Sequence, residues 1–342
     1  GRLWFMDQRM ATMTVSAERV RLFLEGFIAN GHDPASLLKQ HGFNPLLLTN
    51  PGIRSSVLKF VKLTDTVKRF LQDETFGVLS RPQKVGTYPW IARACISANT
   101  IGESLEMWSN GLDFADNAMR SSSHFEGGVG VLSIQFNRRK GVSSDYVMAS
   151  AFWLAHRFHC WLSNEFLPII RVEFRHSEPS YVEDYRYIFG GAPVIFNASR
   201  NAICFGQSNL ELPNVRSLRD FEEISNDFYL YLIGLAPQGV STSVKVRLWL
   251  ETRYRNWASD AGMETLASNW LLSTQTLRRR LANEGTTFKA IKEEVRRDLA
   301  IAMIEQQRDS VEEIAFKLGY SEASPFIRAF GKWTGMTPLV YR

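Results

Sequence analysis

Glu264-Thr-Leu-Ala-Ser-Asn-Trp-Leu-Leu-Ser-Thr-Gln-Thr-Leu-Arg-Arg-Arg-Leu281 decides how this chain is read. Its apolar residues fall at helical spacing, interrupted once at Leu271-Leu272. Ahead of that turn, Ala267 is small enough to let two helices approach closely. Behind it, Ser273 carries the oxygen that an N-cap needs, and Leu277 and Leu281 anchor a second helix. With Ser273 at its start, that second helix displays Thr274, Gln275, Thr276, Arg278 and Arg279, and these six are its candidate DNA contacts. Arginine can bond bidentately to guanine and glutamine to adenine, while the free N–H groups at a helix start can hold a phosphate. The chemistry is that of a recognition helix in a helix-turn-helix. Arg280 completes a run of three arginines but points furthest from the presumed groove face.

A second copy of the pattern follows in Val311-Glu-Glu-Ile-Ala-Phe-Lys-Leu-Gly-Tyr-Ser-Glu-Ala-Ser-Pro-Phe-Ile-Arg-Ala-Phe330. Ala315 supplies the close contact and Gly319 a turn residue free to take positive φ. Ser321 or a near neighbour opens a helix anchored by Phe326 and Phe330. Pro325 is tolerated because the first-turn N–H groups have no intrahelical acceptor. Ser321, Glu322, Ala323, Ser324, Arg328 and Lys332 are its candidate DNA contacts. Between the copies, Phe288, Ile291, Val295, Leu299, Ala302 and Met303 predict one amphipathic helix, with Lys289 and Arg297 off its apolar stripe as candidate phosphate contacts.

Two such units joined by a long helix, ending on Phe330-Gly-Lys-Trp-Thr-Gly-Met-Thr-Pro338, resemble the DNA-binding domain of AraC/XylS-type regulators. Arg296-Arg-Asp-Leu-Ala300, Leu318-Gly-Tyr-Ser321 and Phe326-Ile-Arg-Ala-Phe330 fit that family's sequence in order. One position departs from it: the first turn has Leu271 where the family usually has glycine. Left-handed φ at a leucine costs roughly 1 kcal/mol, so a remodelled turn and a slightly re-aimed first recognition helix are expected.

Leu235-Ala-Pro-Gln-Gly-Val-Ser-Thr-Ser243 groups proline, glycine and small polar residues as a linker does. The expected division is therefore a regulatory or dimerisation domain over 1–235, a linker over 236–243, and the double helix-turn-helix domain over 244–342. Upstream the signals are mixed. Helical patterns occupy 17–29 and 58–71, and Thr100-Ile-Gly-Glu103 offers a capping box before Leu105, Trp108 and Leu112. Val129 to Phe136 alternates after the Gly127-Gly128 turn, and 171–174, 194–196 and 203–205 read as short strands around a long helix from about Asp145 to Glu165. The expected fold is an α+β N-terminal domain followed by an all-α C-terminal domain. From Ala17 to Asn214, Phe76-Gly-Val-Leu, Val172-Glu-Phe-Arg-His176 and Phe196-Asn-Ala through Phe205 resemble the ligand-binding-like domain of AraC-type regulators near the ornithine-utilisation and virulence subgroup. That domain is distinct from the cupin barrel of the sugar-sensing branch.

Composition agrees. From Ser243 to Arg342 there are 16 Lys and Arg against 12 Asp and Glu, which places +4 of the formal +5 on the C-terminal part and favours an anionic partner there. Cys95, Cys160 and Cys204 form no C-x-x-C pair, so a reducing, cytoplasmic setting is expected. Tyr146 to Leu162 is the most apolar long stretch, and His156, Arg157 and His159 interrupt it, so no membrane span is expected. Gly1 to Phe5 precede Met6, which could be the natural start, and carry no weight. The sequence has no G-x-S-x-G, H-E-x-x-H or phosphate-binding G-x-x-x-x-G-K-[ST], and no cysteine from Phe205 onward for the alkyl-transfer chemistry of repair proteins with a similar reading domain. A catalytic role is not expected, nor is a cofactor.

Two clusters invite sharper readings. His156, His159 and Cys160 have helical spacing for metal ligation, but with no third and fourth ligand evident a packed helix is the better reading, and no metal is expected. Trp90, Arg93, Trp108, Trp153 and Arg157 could line a pocket for a small carboxylate or aromatic effector, against ordinary packing. The function expected is a sequence-specific, DNA-binding transcription regulator. The resemblance implies activation through RNA polymerase, and avidity favours a homodimer. The alternative is a front domain that binds a protein partner and no small molecule.

Overall fold

The computed structural model describes residues 13–115, 118–235, 241–256 and 261–342. The expected linker falls largely at 236–240, outside these residues. Strand β1 (Thr14–Ser16) pairs antiparallel with β2 (Arg54–Ser56). Between them run α1 (Ala17–Ala29), α2 (Pro34–Gln40) and a 3-10 turn (Pro45–Leu48), and α3 (Val57–Leu71) follows β2 directly. In α1 the buried residues Val20, Phe23, Leu24 and Phe27 recur at the three-and-four spacing of one helical face.

Then come α4 (Thr87–Cys95), α5 (Ile101–Phe114), β3 (Met119–Glu126), β4 (Val129–Phe136), α6 (Asp145–Ser163), β5 (Ile169–Glu173), α7 (Val182–Ile188), β6 (Val194–Ile195) and β7 (Ala202–Gly206), with α8 (Gln207–Leu210), α9 (Leu218–Ser225) and α10 (Phe228–Gly234) closing the α+β part. The sheet order is β3-β4-β7-β5-β6; its pairs are antiparallel except β5 with β6. Helix α5 starts where predicted: Thr100 Oγ1 accepts from Glu103 N–H at 3.2 Å, and Glu103 accepts from Asn99 N–H at 2.8 Å. Strand β3 was not predicted. Its Met-Arg-Ser-Ser-Ser-His-Phe-Glu sequence has no apolar alternation, and its register comes from pairing along its whole length with β4. Trp108 is fully buried, stacked between Tyr88 and Phe158, and Phe174, Tyr185 and Phe196 form a second aromatic stack.

The C-terminal part is helical, as expected: α11 (Thr242–Arg255), α12 (Met263–Asn269), α13 (Thr274–Asn283), α14 (Phe288–Gln306), α15 (Val311–Lys317), α16 (Ala323–Thr334) and α17 (Pro338–Tyr341). Among the described residues no helix is long and apolar enough to cross a membrane.

The chain's two compact units are not continuous segments. Residues 18–41 and 61–235 form the front unit, whereas the β1–β2 ribbon, with residues 42–60, belongs with the C-terminal helices in a reading unit. The reason is chemical. Asp298 on α14 is buried, and its carboxylate accepts from Thr14 Oγ1 at 2.6 Å, from Arg247 of α11 at 2.6 Å and from Arg297 at 2.9 Å, with Arg54 of β2 at 3.9 Å. Burial alone would raise its pKa, but the charges of Arg297, Arg247 and Arg54 and the Thr14 hydroxyl hold it well below the ordinary carboxylate range.

Candidate nucleic-acid interface

The two helix-turn-helix units are built on the same turn. In the first, Leu272 N–H donates to Ala267 C=O at 2.9 Å and Leu271 N–H to Ser268 C=O at 3.0 Å. In the second, Tyr320 N–H donates to Ala315 C=O at 3.0 Å and Gly319 N–H to Phe316 C=O at 2.9 Å. Each is a paired helix-end motif closed by a left-handed residue, Leu271 at φ 54° and Gly319 at φ 80°. The expected remodelling of the first turn does not occur. Leu271 takes the left-handed conformation within the two turn hydrogen bonds, its side chain 94% exposed. Replacing Leu271 by glycine is expected to raise stability by about 1 kcal/mol, read from the midpoint of urea unfolding, since glycine removes the Cβ clash intrinsic to this conformation. A variant that is less stable would mean that the leucine makes a contact worth more than its strain.

Each turn leads into the second helix of its unit. Ser273 Oγ caps α13 by accepting from Thr276 N–H at 3.1 Å, as predicted. The N-cap of α16 is Glu322, with no side-chain capping bond, so Ser321 lies one residue outside the cap. The buried anchors correspond at a constant offset of 49: Leu277 with Phe326 and Leu281 with Phe330, all four fully buried. The same offset pairs Gln275 with Ser324 and Arg279 with Arg328. At 100° per residue these four lie opposite the anchors, and all are exposed. Arg278 and Arg280, also exposed, flank that line on either side. Arg279, rather than Arg278, is thus the counterpart of Arg328. The spacing of these arginines from the apolar anchors is the signal for this pairing in the sequence.

The remaining candidates divide. Thr274, Thr276 and Ala323 are half-buried, while Lys289 and Lys332 are exposed. Arg297 is held against Asp298, its side chain 14% exposed, so it braces α14. Arg296 beside it was not among the candidate contacts. Its Nε donates to Tyr254 Oη at 2.8 Å, and its guanidinium lies over the rings of Tyr254 and Tyr320, joining α11, α14 and the second turn. No local pattern announces partners 42 and 24 residues away. Glu284, at the end of α13, accepts from Thr242 and Ser243 N–H at 2.8 Å each, tying the first unit to the start of α11.

The five candidate effector residues are not brought to one place. Trp90, 68% exposed, and Arg93 line an open groove of about 550 Å³ with Ile96, Met107 and Leu218, and Arg93 pairs with Glu222. Trp108 and Arg157 are buried and Trp153 is half-buried; none of the three lines that groove. The histidine cluster is spent on packing. His159 Nδ1 donates to Ala155 C=O at 2.7 Å and its Nε2 faces Ser104 Oγ at 2.9 Å, while His156 Nε2 donates to Leu167 C=O at 2.8 Å. Burial holds His156 to about 3 and His159 to about 4, and pushes the Cys160 thiol up to about 11. Among the described residues there is no cluster that could hold a metal ion.

Comparison with known proteins agrees with this architecture. Residues 31–214, more than half the chain, match the arabinose-binding domain of AraC transcription regulators, and residues 266–342 match a helix-turn-helix domain. The chain is 24% identical over 304 residues to an ornithine utilization regulator of Pseudomonas aeruginosa, covering 87% of each. It is 38% identical over 78 residues to the regulator VqsM of the same organism, 23% of this chain and 24% of that protein. Among solved structures, the transcriptional regulator CdpR from Pseudomonas aeruginosa covers 94% of this chain and 96% of its own at 20% identity, with a TM-score of 0.34. With two helix-turn-helix units behind an AraC-type front domain, the chain belongs to the AraC family and is a DNA-binding transcription regulator.

Proposed function

We propose that α13 and α16 enter successive major grooves on one face of B-DNA and read a bipartite site. The observation that carries this is the pairing of Gln275 and Arg279 with Ser324 and Arg328 across two equivalent helices joined by α14. That helix has 19 residues, which at 1.5 Å each is roughly 28 Å, comparable with the ~34 Å between grooves one turn apart. Arg279, Arg328 and Gln275 supply base contacts, with Arg278 at the edge. Lys289, Lys332 and the exposed N-termini of both helices supply phosphate contacts. Bound at a promoter in the cytoplasm, the protein acts as an activator through RNA polymerase and works as a homodimer.

The test is DNA binding across a salt series, comparing the wild type with the Arg279→Ala, Arg328→Ala double variant. Each arginine is expected to contribute about tenfold in affinity, with relaxed preference at the base it reads. Binding that stays equally tight and equally selective in the double variant would remove both helices from the recognition role.

For the front unit, the family supports a small-molecule effector. A second reading, a protein-interaction module, is favoured by the groove beside Trp90, where exposed Trp90 and Leu218 flank the Arg93–Glu222 pair while Trp108 and the second aromatic stack fill the interior. Melting-temperature shifts with small metabolites, L-ornithine among them because of the relative's name, would favour the effector. Trp90→Ala chains that keep their melting temperature but lose transcriptional output would favour the partner.

A further inference from the structure

We infer that Arg54, on the β1–β2 ribbon, is a positioning residue for DNA reading: through Asp298 the ribbon fixes the angle between the two helix-turn-helix units. The inference rests on the two-groove reading.

The contacts form one continuous path inside the reading unit. Glu284 binds α13 to the start of α11, and Arg247 in α11 binds Asp298 in the middle of α14. Thr14 and Arg54 reach the same carboxylate from the two ribbon strands, and Arg54 Nε donates to Thr14 Oγ1 at 2.9 Å. From the ribbon side the path continues into the second unit. Tyr341 of α17 donates its hydroxyl proton to the Arg54 carbonyl, and Asn44 Nδ2 contacts Met336 Sδ at 3.2 Å. Asn50 lies so close to Gly335 that a Cβ there would come within 2.2 Å of its Nδ2. Lys59 pairs with Glu305 near the end of α14 at 3.5 Å. The ribbon therefore braces the connecting helix and the back of the second unit, on the side away from the exposed face of Ser324 and Arg328. Two units that bind one rigid duplex gain from each other only if their spacing and tilt match it, so a brace on the connector sets how strictly half-site spacing is read.

The prediction differs from that of a merely structural contact. In Arg54→Met, Asp298 keeps Arg247, Arg297 and Thr14, and the stem volume is retained, so the unit folds. Thr14→Val, which removes the ribbon's 2.6 Å bond to the same carboxylate and the acceptor of Arg54 Nε, serves as the second variant. The probe is a fluorescein-labelled duplex enriched by the full-length wild-type chain from a random pool, used intact, with one half scrambled, and with one or two base pairs inserted between the halves. Wild type should lose most of its affinity on either change. Arg54→Met should bind the intact duplex about tenfold more weakly, bind the scrambled duplex as wild type does, and discriminate little against the inserted spacing. Thr14→Val should do the same, and Arg54→Lys should restore part of the discrimination. If wild type discriminates and Arg54→Met discriminates equally, or weakens equally on all duplexes, the ribbon does not position the units and the inference fails alone. If scrambling one half leaves wild-type binding unchanged, the two-groove reading fails and takes the inference with it.

Discussion

Replacing Arg247 by alanine is expected to lower the unfolding free energy of the reading unit by about 3–5 kcal/mol, the range for removing one partner of a buried, hydrogen-bonded ion pair. Arg247 donates to Asp298 at 2.6 Å and to Glu251 at 2.8 Å, and Glu294 lies at 3.9 Å; all of these carboxylates are buried or nearly so. Truncation leaves the two hydrogen-bonded carboxylates, Asp298 and Glu251, short of a donor, although Asp298 retains Arg297 and Arg54. Arg54 approaches the same carboxylate from the ribbon at 3.9 Å, against 2.6 Å for Arg247. Arg247→Lys should recover only part of the loss, because an ammonium lacks the planar fork that bridges two carboxylates. The measurement is urea unfolding of the full chain, read as a midpoint shift at constant slope. A loss below 1 kcal/mol would show that water replaces the guanidinium and that the site is not dry.

Acidification from pH 7.5 to pH 5 should weaken the front unit by about 4 kcal/mol, about 2 from each of His156 and His159. Both are fully buried, and burial holds their folded values near 3 and 4 against 6.5 for the free side chain. Near pH 5 the unfolded chain binds protons at both rings and the folded chain at neither. Stability is therefore intact above about 6.5 and falls as the pH drops below it, until the folded rings titrate. Asp298, shifted downward, contributes only below the ordinary carboxylate range, while His41, lowered by partial burial and by Lys62, adds to the loss in the same sense. Glu305 works in the opposite sense, since burial raises its carboxyl despite Lys59. Urea midpoints at the two pH values test the expectation: His159→Gln and His156→Asn should each remove about half of the pH dependence, and a stability that stays flat down to pH 5 would contradict it.

The double helix-turn-helix was legible because its signals are local: a small residue, a turn, an N-cap and two apolar anchors fall within twenty residues, twice. The long helices α1, α3, α6 and α14 were legible from periodicity for the same reason. What escaped is non-local. Strands β1 and β2, of three residues each, have no room for a period, and they gain their meaning only where Thr14 and Arg54 meet Asp298. Arg297 reads as a surface cation until its neighbour Asp298 turns out to be buried. The grouping of Trp90, Arg93, Trp108, Trp153 and Arg157 failed because residue type says nothing of facing: Trp90 and Trp108 lie on adjacent helices, one exposed and one at the centre of a stack.

The path of the backbone has a consequence for how such a protein can be taken apart. The chain passes between its two units at residues 17–18, 41–42 and 60–61, and again near the 236–240 stretch. A single genetic crossover near that last passage, the obvious place to exchange one front unit for another, would hand the C-terminal helices a foreign ribbon in place of their own Thr14 and Arg54. A working chimera is therefore expected to need residues 13–17 and 42–60 carried along with the C-terminal helices.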